Sequence, residues 1–349
     1  MSAAPAISVI MPCYNRAHDL IRTLEAYDQQ QGLQPFELIA VDDCSTDQTQ
    51  AVLRSYQPRR FSLKVVRHDQ NQGPAAARNR GLDLAVAPLL LFVGDDILPD
   101  PFMIEGHLAA HRYYPKTEIS ILGRVDWAAD LPVNTLMAHI DGIGAQQFSY
   151  YYMRDGHEYD FRHFYTANIS MKRDLLCAQP NGFDTQFPYA AFEDSELSYR
   201  LAQQGMRIVY HSHLLGFHYH YHTIWTFSLR QYRAGMMACL LARKHPSASK
   251  WLMGKAWPYH LLVWSALARF QKPLGESLGS LENRALHWAS QHEWVPHPDL
   301  DRAYLTILSY FFTKGVAYGT YGDTPQSNRI ANFLAQRRLV PLLSQVSGA

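Results

Sequence analysis

The first hundred residues alternate two periodicities. Apolar runs of strand length, ISVIM at 7–11, FELIAV at 36–41, LKVV at 63–66 and LLLFV at 89–93, recur about every 27 residues and carry many β-branched side chains. Between them the spacing predicts helices. One runs from Asp19 to Gln31 and is stopped by Gly32. A second follows Ser45, where Ser45 and Gln48 fit a capping box, and a third opens at Gly73 and Pro74 and continues to Val86. Strands joined by crossover helices form a parallel sheet, and strands that are hydrophobic without alternation are covered on both faces. From 100 to 160 the pattern weakens into loops and short elements. It returns as a strand at 164–171, an amphipathic helix from Glu193 to Gln204 closed by Gly205, and a strand at 207–210. The expectation is an α/β fold, a doubly wound, mostly parallel sheet over residues 1–225, with a helical C-terminal appendage over 226–349.

This topology gathers residues that are far apart in the chain. Loops leaving the carboxyl ends of parallel strands share one edge of the sheet, where ligands bind. Those loops are Pro12-Cys13-Tyr14-Asn15, Asp42-Asp43-Cys44-Ser45 and Gly94-Asp95-Asp96. Four carboxylates on one crevice repel unless a cation or hydrogen-bond donors are held there, and a divalent metal is the economical explanation.

Composition narrows the classes. In 349 residues, 47% are hydrophobic and 18% charged, and 32 Lys and Arg against 31 Asp and Glu leave a net charge of +1. A disordered chain is excluded, and so is the basic field of a nucleic-acid binder, so an anionic ligand must be held locally. Four well-separated cysteines without a CxxC pair point to a reducing compartment. The N-terminal MSAAPAISVIMPCYN has no basic stretch before the first strand, which argues against a cleaved signal. No apolar run reaches the roughly 18 to 20 residues of a membrane span. A cytoplasmic protein is expected, with peripheral contact to the inner membrane face as an option.

The blocks ISVIMPCYNR, VDDCSTDQT, NQGPAAARNRGL, FVGDDILPDP, NISMKRDLL, NGFDTQF and FEDSELSYRLAQQG, in this order over residues 7–235, resemble the inverting family 2 glycosyltransferases with the GT-A fold. The resemblance implies an enzyme that moves a sugar from a nucleoside diphosphate sugar, UDP-linked by preference, to a hydroxyl of a glycan, lipid-linked or protein acceptor. It also implies Mn2+ or Mg2+ as cofactor. The C-terminal region would then serve the acceptor, core packing or a membrane surface.

The resemblance also assigns roles. Asp43 takes the nucleobase, an acceptor-only carboxylate suiting a ring N–H, although Asp42 and Asp43 would equally cap the next helix. Pro12 and Tyr14 line the nucleoside pocket, and Arg78 reaches the diphosphate. Family members commonly carry Asp-x-Asp after the fourth strand; here Gly94 replaces the first acid, which leaves Asp96 as direct metal ligand and Asp95 for ribose or a metal-bound water. Asp194 is the base that takes the acceptor proton, with Glu193 as fallback. In HSHLLGFHYHYHT, His218, His220 and His222 would share one face of an extended segment and suit zinc, whereas the family pattern selects His218, then His220, for the catalytic metal. Trp127, Tyr151 and Tyr152 are candidates for stacking on a sugar. The alternatives are an inactive nucleotide-sugar-binding scaffold, motivated by Gly94, and a nucleotidyltransferase or dehydrogenase, which lack their glycine-rich loop after the first strand.

Overall fold

The structure, a computed structural model, describes residues 4–142, 147–148, 150–177, 181–253, 257–271 and 274–346. Its elements in chain order are β1 (Ile7–Cys13), α1 (Ala17–Asp28), β2 (Phe36–Asp42), α2 (Thr49–Ser55), β3 (Ser62–Arg67), α3 (Gly73–Leu84), β4 (Leu89–Val93), β5 (Ile97–Pro99), α4 (Met103–Tyr113) and β6 (Ile119–Trp127). There follow α5 (Thr135–Asp141), β7 (Glu158–Tyr159), β8 (Asn168–Lys172), α6 (Arg173–Cys177), α7 (Glu193–Ala202) and β9 (Arg207–His218). The helices α8 (Ile224–Lys244), α9 (Pro246–Met253), α10 (Trp257–Leu267), α11 (Leu278–Gln291), α12 (Leu300–Tyr321) and α13 (Pro325–Val346) complete the chain.

Two compact units emerge. One comprises Met1–Leu131 and Tyr150–His220, the other Pro132–Ser149 and Tyr221–Ala349. The segment 132–149, read from sequence as part of the first domain, belongs to the second, because α5 packs on α12.

In the first unit one sheet runs β3-β2-β1-β4-β8-β6-β9-β5, with β7 on β9. β1, β2, β3, β4, β6 and β9 share a direction, and β8, β5 and β7 oppose it. Successive strand residues face opposite sides, so Val9, Met11, Leu38, Ala40 and Leu91 pack against α1 and α4 while Ile10, Ile39, Val41, Leu90 and Phe92 pack against α3, α6 and α7. Both faces are therefore dry, as the uninterrupted apolar runs require.

Several boundaries differ from the sequence reading. α2 begins at Thr49 and not at Ser45, since the Ser45 hydroxyl is engaged elsewhere, accepting from the Asn15 N–H at 2.9 Å. β6 lies inside the stretch read as loops. β9 extends to His218, past a bulge that no periodicity records: His211 pairs with Gly123 and Leu215 with Arg124, so residues 212–214 leave the ladder. Leu214 fills that bulge against α4, where a Cβ on Gly106 would meet it at 2.3 Å.

The second unit is helical around α8 and α12. Tyr304, Ile307, Leu308, Tyr310 and Phe311 are buried, so this apolar stripe is core. Glycines let the two helices touch backbone to backbone: a Cβ on Gly235 would lie 2.0 Å from the Phe312 carbonyl oxygen, and one on Gly315 1.9 Å from that of Tyr232. Gly315→Ala is expected to force them apart at a cost of about 1–3 kcal/mol and to lower the melting temperature by several degrees. Gly279→Ala in α11, where a Cβ meets nothing within 4 Å, is the control. Equal melting temperatures for the two variants would refute the close contact.

Candidate functional site

The site lies at the carboxyl edge of the parallel strands. Among the described residues, Asn15, Cys44 and Phe192 are the non-glycine residues with positive φ (50°, 61° and 66°), and all three stand at loops that reach this edge or open α7. Left-handed backbone costs such residues of order 1–3 kcal/mol and persists where the surroundings enforce it. Here the surroundings are hydrogen bonds between loops. The Asn15 side chain accepts from Thr46 N at 2.7 Å, Arg16 N donates to Thr49 Oγ1 at 2.7 Å, and Ala17 N to Asp47 Oδ2 at 3.0 Å, so the loops after β1 and β2 are laced into one frame.

Asp42 and Asp43 take different partners. Asp42 pairs with Arg67 and accepts from Ser45 N. Asp43 accepts from Gln72 N at 3.0 Å, Gly73 N at 2.7 Å and His68 Nδ1 at 2.8 Å, and is buried. Neither acid caps α2. Pro12 sits within β1 opposite Val41; the Tyr14 ring is half exposed, and its N–H donates to Asp95 Oδ2 at 3.2 Å.

Asp95 and Asp96 share a cation that sequence reading left without a role. Arg16 Nε is 3.3 Å from Asp95 Oδ1, and its Nη2 donates to Asp96 Oδ2 at 3.1 Å. Asp96 Oδ2 also meets His218 Nε2 at 3.3 Å and His220 Nδ1 at 3.1 Å. Burial lifts the Asp95 carboxyl to about 6 against the pull of Arg16, with Asp96 adding to the rise. Burial also acts on Asp96, but His218, His220 and Arg16 outweigh it and hold that carboxyl well below the usual range. The ligand atoms of Asp96, His218 and His220 all lie within 4.8 Å of one another, a carboxylate and two imidazoles suited to a divalent ion. Trp127 stacks flat on His218 at 5.2 Å, which orients that ring. Tyr219 N donates to the Asp96 carbonyl at 2.8 Å and fixes the histidine segment beside the turn. His222 belongs to the second unit, where it packs on Phe227, so the three alternate histidines do not form one face. Gly94 has a steric reason: a Cβ there would stand 2.6 Å from Asp96 Oδ1.

Asp194 and Glu193 open α7, and their environments diverge. Glu193 is buried and takes a 2.8 Å bond from Arg78 Nη1. Arg78 therefore joins α3 to α7 and lies over Phe183. Asp194 is half-buried; burial, then the Glu193 charge, push its carboxyl up to about 7 although Arg78 and the Ser195 N–H oppose this. The chain before α7 crosses the loop that holds Asp43, since a Cβ on Gly73 would lie 2.5 Å from the Pro188 carbonyl oxygen.

Residues 8–176, which carry these strands and the Asp95–Asp96 turn, match the model described as glycosyl transferase family 2. This stretch is a family 2 glycosyltransferase domain. It is similar to validoxylamine A glucosyltransferase of Streptomyces hygroscopicus subsp. jinggangensis, at 29% identity over 236 residues that cover 59% of this chain and 53% of that protein. The chain spans about half the length of the curated relatives it matches. Among solved structures, S. aureus TarS 1-349 in complex with UDP has a TM-score of 0.53 at 18% identity, covering 98% of this chain and 92% of that one. The mannosyltransferase PcManGT from Pyrobaculum calidifontis, in complex with GDP-Man and Mn2+, has a TM-score of 0.57 at 17% identity, covering 93% and 89%. At such identities the likeness is one of fold, and the family 2 domain has the GT-A fold. Among the described residues no helix is long and apolar enough to cross a membrane.

The Arg78–Glu193 pair yields a measurement. Removing one partner of a buried ion pair leaves an uncompensated charge, at a cost of about 3–5 kcal/mol, whereas removing both costs far less. Arg78→Leu is therefore expected to destabilise the family 2 domain strongly, and Arg78→Leu/Glu193→Leu to recover most of the loss in denaturant unfolding. Should nucleotide affinity stay low in the refolded double variant, Arg78 also serves the diphosphate.

Proposed function

We propose that the protein is an inverting glycosyltransferase that transfers a sugar from a nucleoside diphosphate sugar, UDP-linked by preference, to the hydroxyl of a glycan, lipid-linked or protein acceptor in a single displacement. The observation that carries this is the pairing, on a family 2 domain, of an Asp96, His218 and His220 ligand set with a separate carboxyl, Asp194, raised to about 7.

At the donor end Asp43 accepts three hydrogen bonds, which leaves about one of a carboxylate's four acceptor positions for a nucleobase N–H. Pro12 and Tyr14 border that position. Arg16, held against both Asp95 and Asp96, offers its guanidinium to the diphosphate, and Asp95 turns to ribose or to a metal-bound water. Asp96, His218 and His220 would hold a divalent cation, whose chemistry is to neutralise charge on the departing diphosphate as a Lewis acid. Two imidazoles suit Mn2+ better than Mg2+, which prefers oxygen ligands throughout.

Asp194 takes the proton of the acceptor hydroxyl as its oxygen attacks the anomeric carbon from the face opposite the diphosphate. A base whose pKa lies near the working pH combines ionisation with basicity. Glu193, the fallback, is buried and bonded to Arg78 through one oxygen, and its proximity adds to the rise at Asp194. The inactive-scaffold alternative rests on Gly94, and the presence of both Asp96 and Asp194 argues against it.

Asp194→Asn is expected to reduce transfer by ~100- to 10,000-fold while leaving UDP affinity within a few-fold of wild type. Wild-type transfer should fall about tenfold per pH unit below about pH 7, because the base must be ionised, and the residual rate of the variant should lose that dependence. Transfer by the variant near the wild-type rate dismisses Asp194 as base.

Peripheral membrane contact is proposed for the second unit, where Leu262, Val263, Leu267 and Phe270 are exposed along α10 and the turn after it, beside Arg269. Flotation with anionic vesicles at low salt should carry the protein upward, and Leu267→Ser/Phe270→Ser should abolish this. A wild-type protein that stays in the lower fraction eliminates the contact.

A further inference from the structure

The first unit holds a second cluster of nitrogen and oxygen donors, on the far side of the β9 bulge from the residues that meet Asp96. Two of the five histidines in the 211–223 segment, His211 and His213, are used by nothing described so far. β7 pairs antiparallel with β9, Glu158 opposite Val209, and the ladder continues through Gly156 N to Tyr210 O at 2.8 Å and Tyr210 N to His157 O at 3.1 Å. This register brings Asp155 against residues 211–213. The bulge lets His211 and His213, two residues apart, face the same carboxylate while Leu214 turns into the core. His211 Nδ1 lies 3.7 Å from Asp155 Oδ2, and His213 Nδ1 lies 3.6 Å from Asp155 Oδ1.

Those separations are too long for hydrogen bonds. They are close to the edge of a tetrahedral metal site, about 3.3–3.4 Å for ligands some 2.0–2.1 Å from zinc. One ligand atom from each of the three residues lies within 4.8 Å of the others. Two further observations favour a bound ion over a chance grouping. Both ring nitrogens of His211 are buried and have no hydrogen-bond partner among the described residues, and a metal bond at Nδ1, the nitrogen that faces Asp155, satisfies one of them. The Asp155 carboxylate is also oriented in advance, since Ser212 N donates to its Oδ1 at 2.7 Å and Ser212 Oγ at 3.0 Å, the kind of support that metal-binding carboxylates receive.

We propose that Asp155, His211 and His213 form a site for a divalent transition metal of the zinc class, separate from the Asp96 site. Two imidazoles and one carboxylate select Zn2+, Co2+ or Ni2+ over Mg2+. His213 is 65% exposed, so the fourth coordination position opens to water. The ion clasps the 155–157 turn to the bulge and steadies the strand that continues to His218. Its role is therefore structural or regulatory, and the proposal does not depend on the transfer reaction.

The test must separate the two clusters, so it uses a His220→Ala background, which disables the Asp96 set. Protein stripped with a chelator is titrated with Zn2+ against a fluorescent zinc indicator, and with Co2+ while its visible absorption is followed. The His220→Ala protein is expected to bind one Zn2+, to show the intense bands of tetrahedral Co2+, and to melt at a higher temperature with Zn2+ present. Adding His213→Ala, a surface change that leaves the fold intact, or Asp155→Asn should weaken Zn2+ by more than the roughly 10- to 100-fold that loss of an outer-shell partner costs, and should remove the thermal shift. Equal Zn2+ stoichiometry and affinity with and without His213 overturns the proposal, as does a Co2+ spectrum indistinguishable from the hydrated ion.

Discussion

Adjacent carboxylates at a dry sheet edge repel each other, and the site is organised around that repulsion. The acids come in consecutive pairs: Asp42 and Asp43, Asp95 and Asp96, Glu193 and Asp194. In each pair one member is tied down by a cationic side chain from elsewhere: Arg67 for Asp42, Arg16 with the histidines for Asp96, Arg78 for Glu193. The second member relies more on hydrogen-bond donors or on a raised pKa, although Arg16 also pairs with Asp95 and His68 with Asp43. Asp43 is held by backbone N–H groups, whereas Asp95 and Asp194 rise to about 6 and about 7. Neighbouring titratable groups whose environments push them apart are the usual means by which one site runs acid and base chemistry near neutral pH.

The same electrostatics explains the strained loops. Asn15 and Cys44 are left-handed where their loops turn the Arg16 and Asp43 backbones toward the edge, and Phe192 is left-handed where α7 must begin so that Glu193 and Asp194 point in different directions. No glycine occupies these positions, and at Asn15 and Cys44 the loops are held by hydrogen bonds between them, which contributes to preorganisation. Gly94 differs in kind: a Cβ there would stand 2.6 Å from Asp96 Oδ1, whose partner oxygen Oδ2 meets the histidines.

Much of this was legible because strand ends and acid pairs are local signals. The apolar runs marked β1 to β4 within two residues, and the topology rule then brought the three loops to one edge. What was not legible depends on contacts distant in sequence. Arg16 stood in a motif that resembled the family, yet only the fold brings it within reach of residues some 80 positions on. Arg78 stands one turn into α3, and only the fold shows that it meets Glu193, 115 residues away. α5 gave no sign in its own sequence that it packs in the second unit.

The histidine segment shows why periodicity alone misleads there. Strict alternation would put 218, 220 and 222 on one face, but alternation holds only while the strand lasts, and β9 ends at His218. Beyond that point His220 reaches Asp96 because Tyr219 N is tethered to the Asp96 carbonyl, a constraint of the turn and not of a ladder. Upstream, the bulge breaks the register again and separates 211 and 213 from the rest. Four of the five histidines in this run are thereby divided between two carboxylates, Asp96 and Asp155, by a loss of strand geometry at each end. The carboxylates decide which imidazoles act together, since a cation-binding group needs the anion more than it needs the spacing.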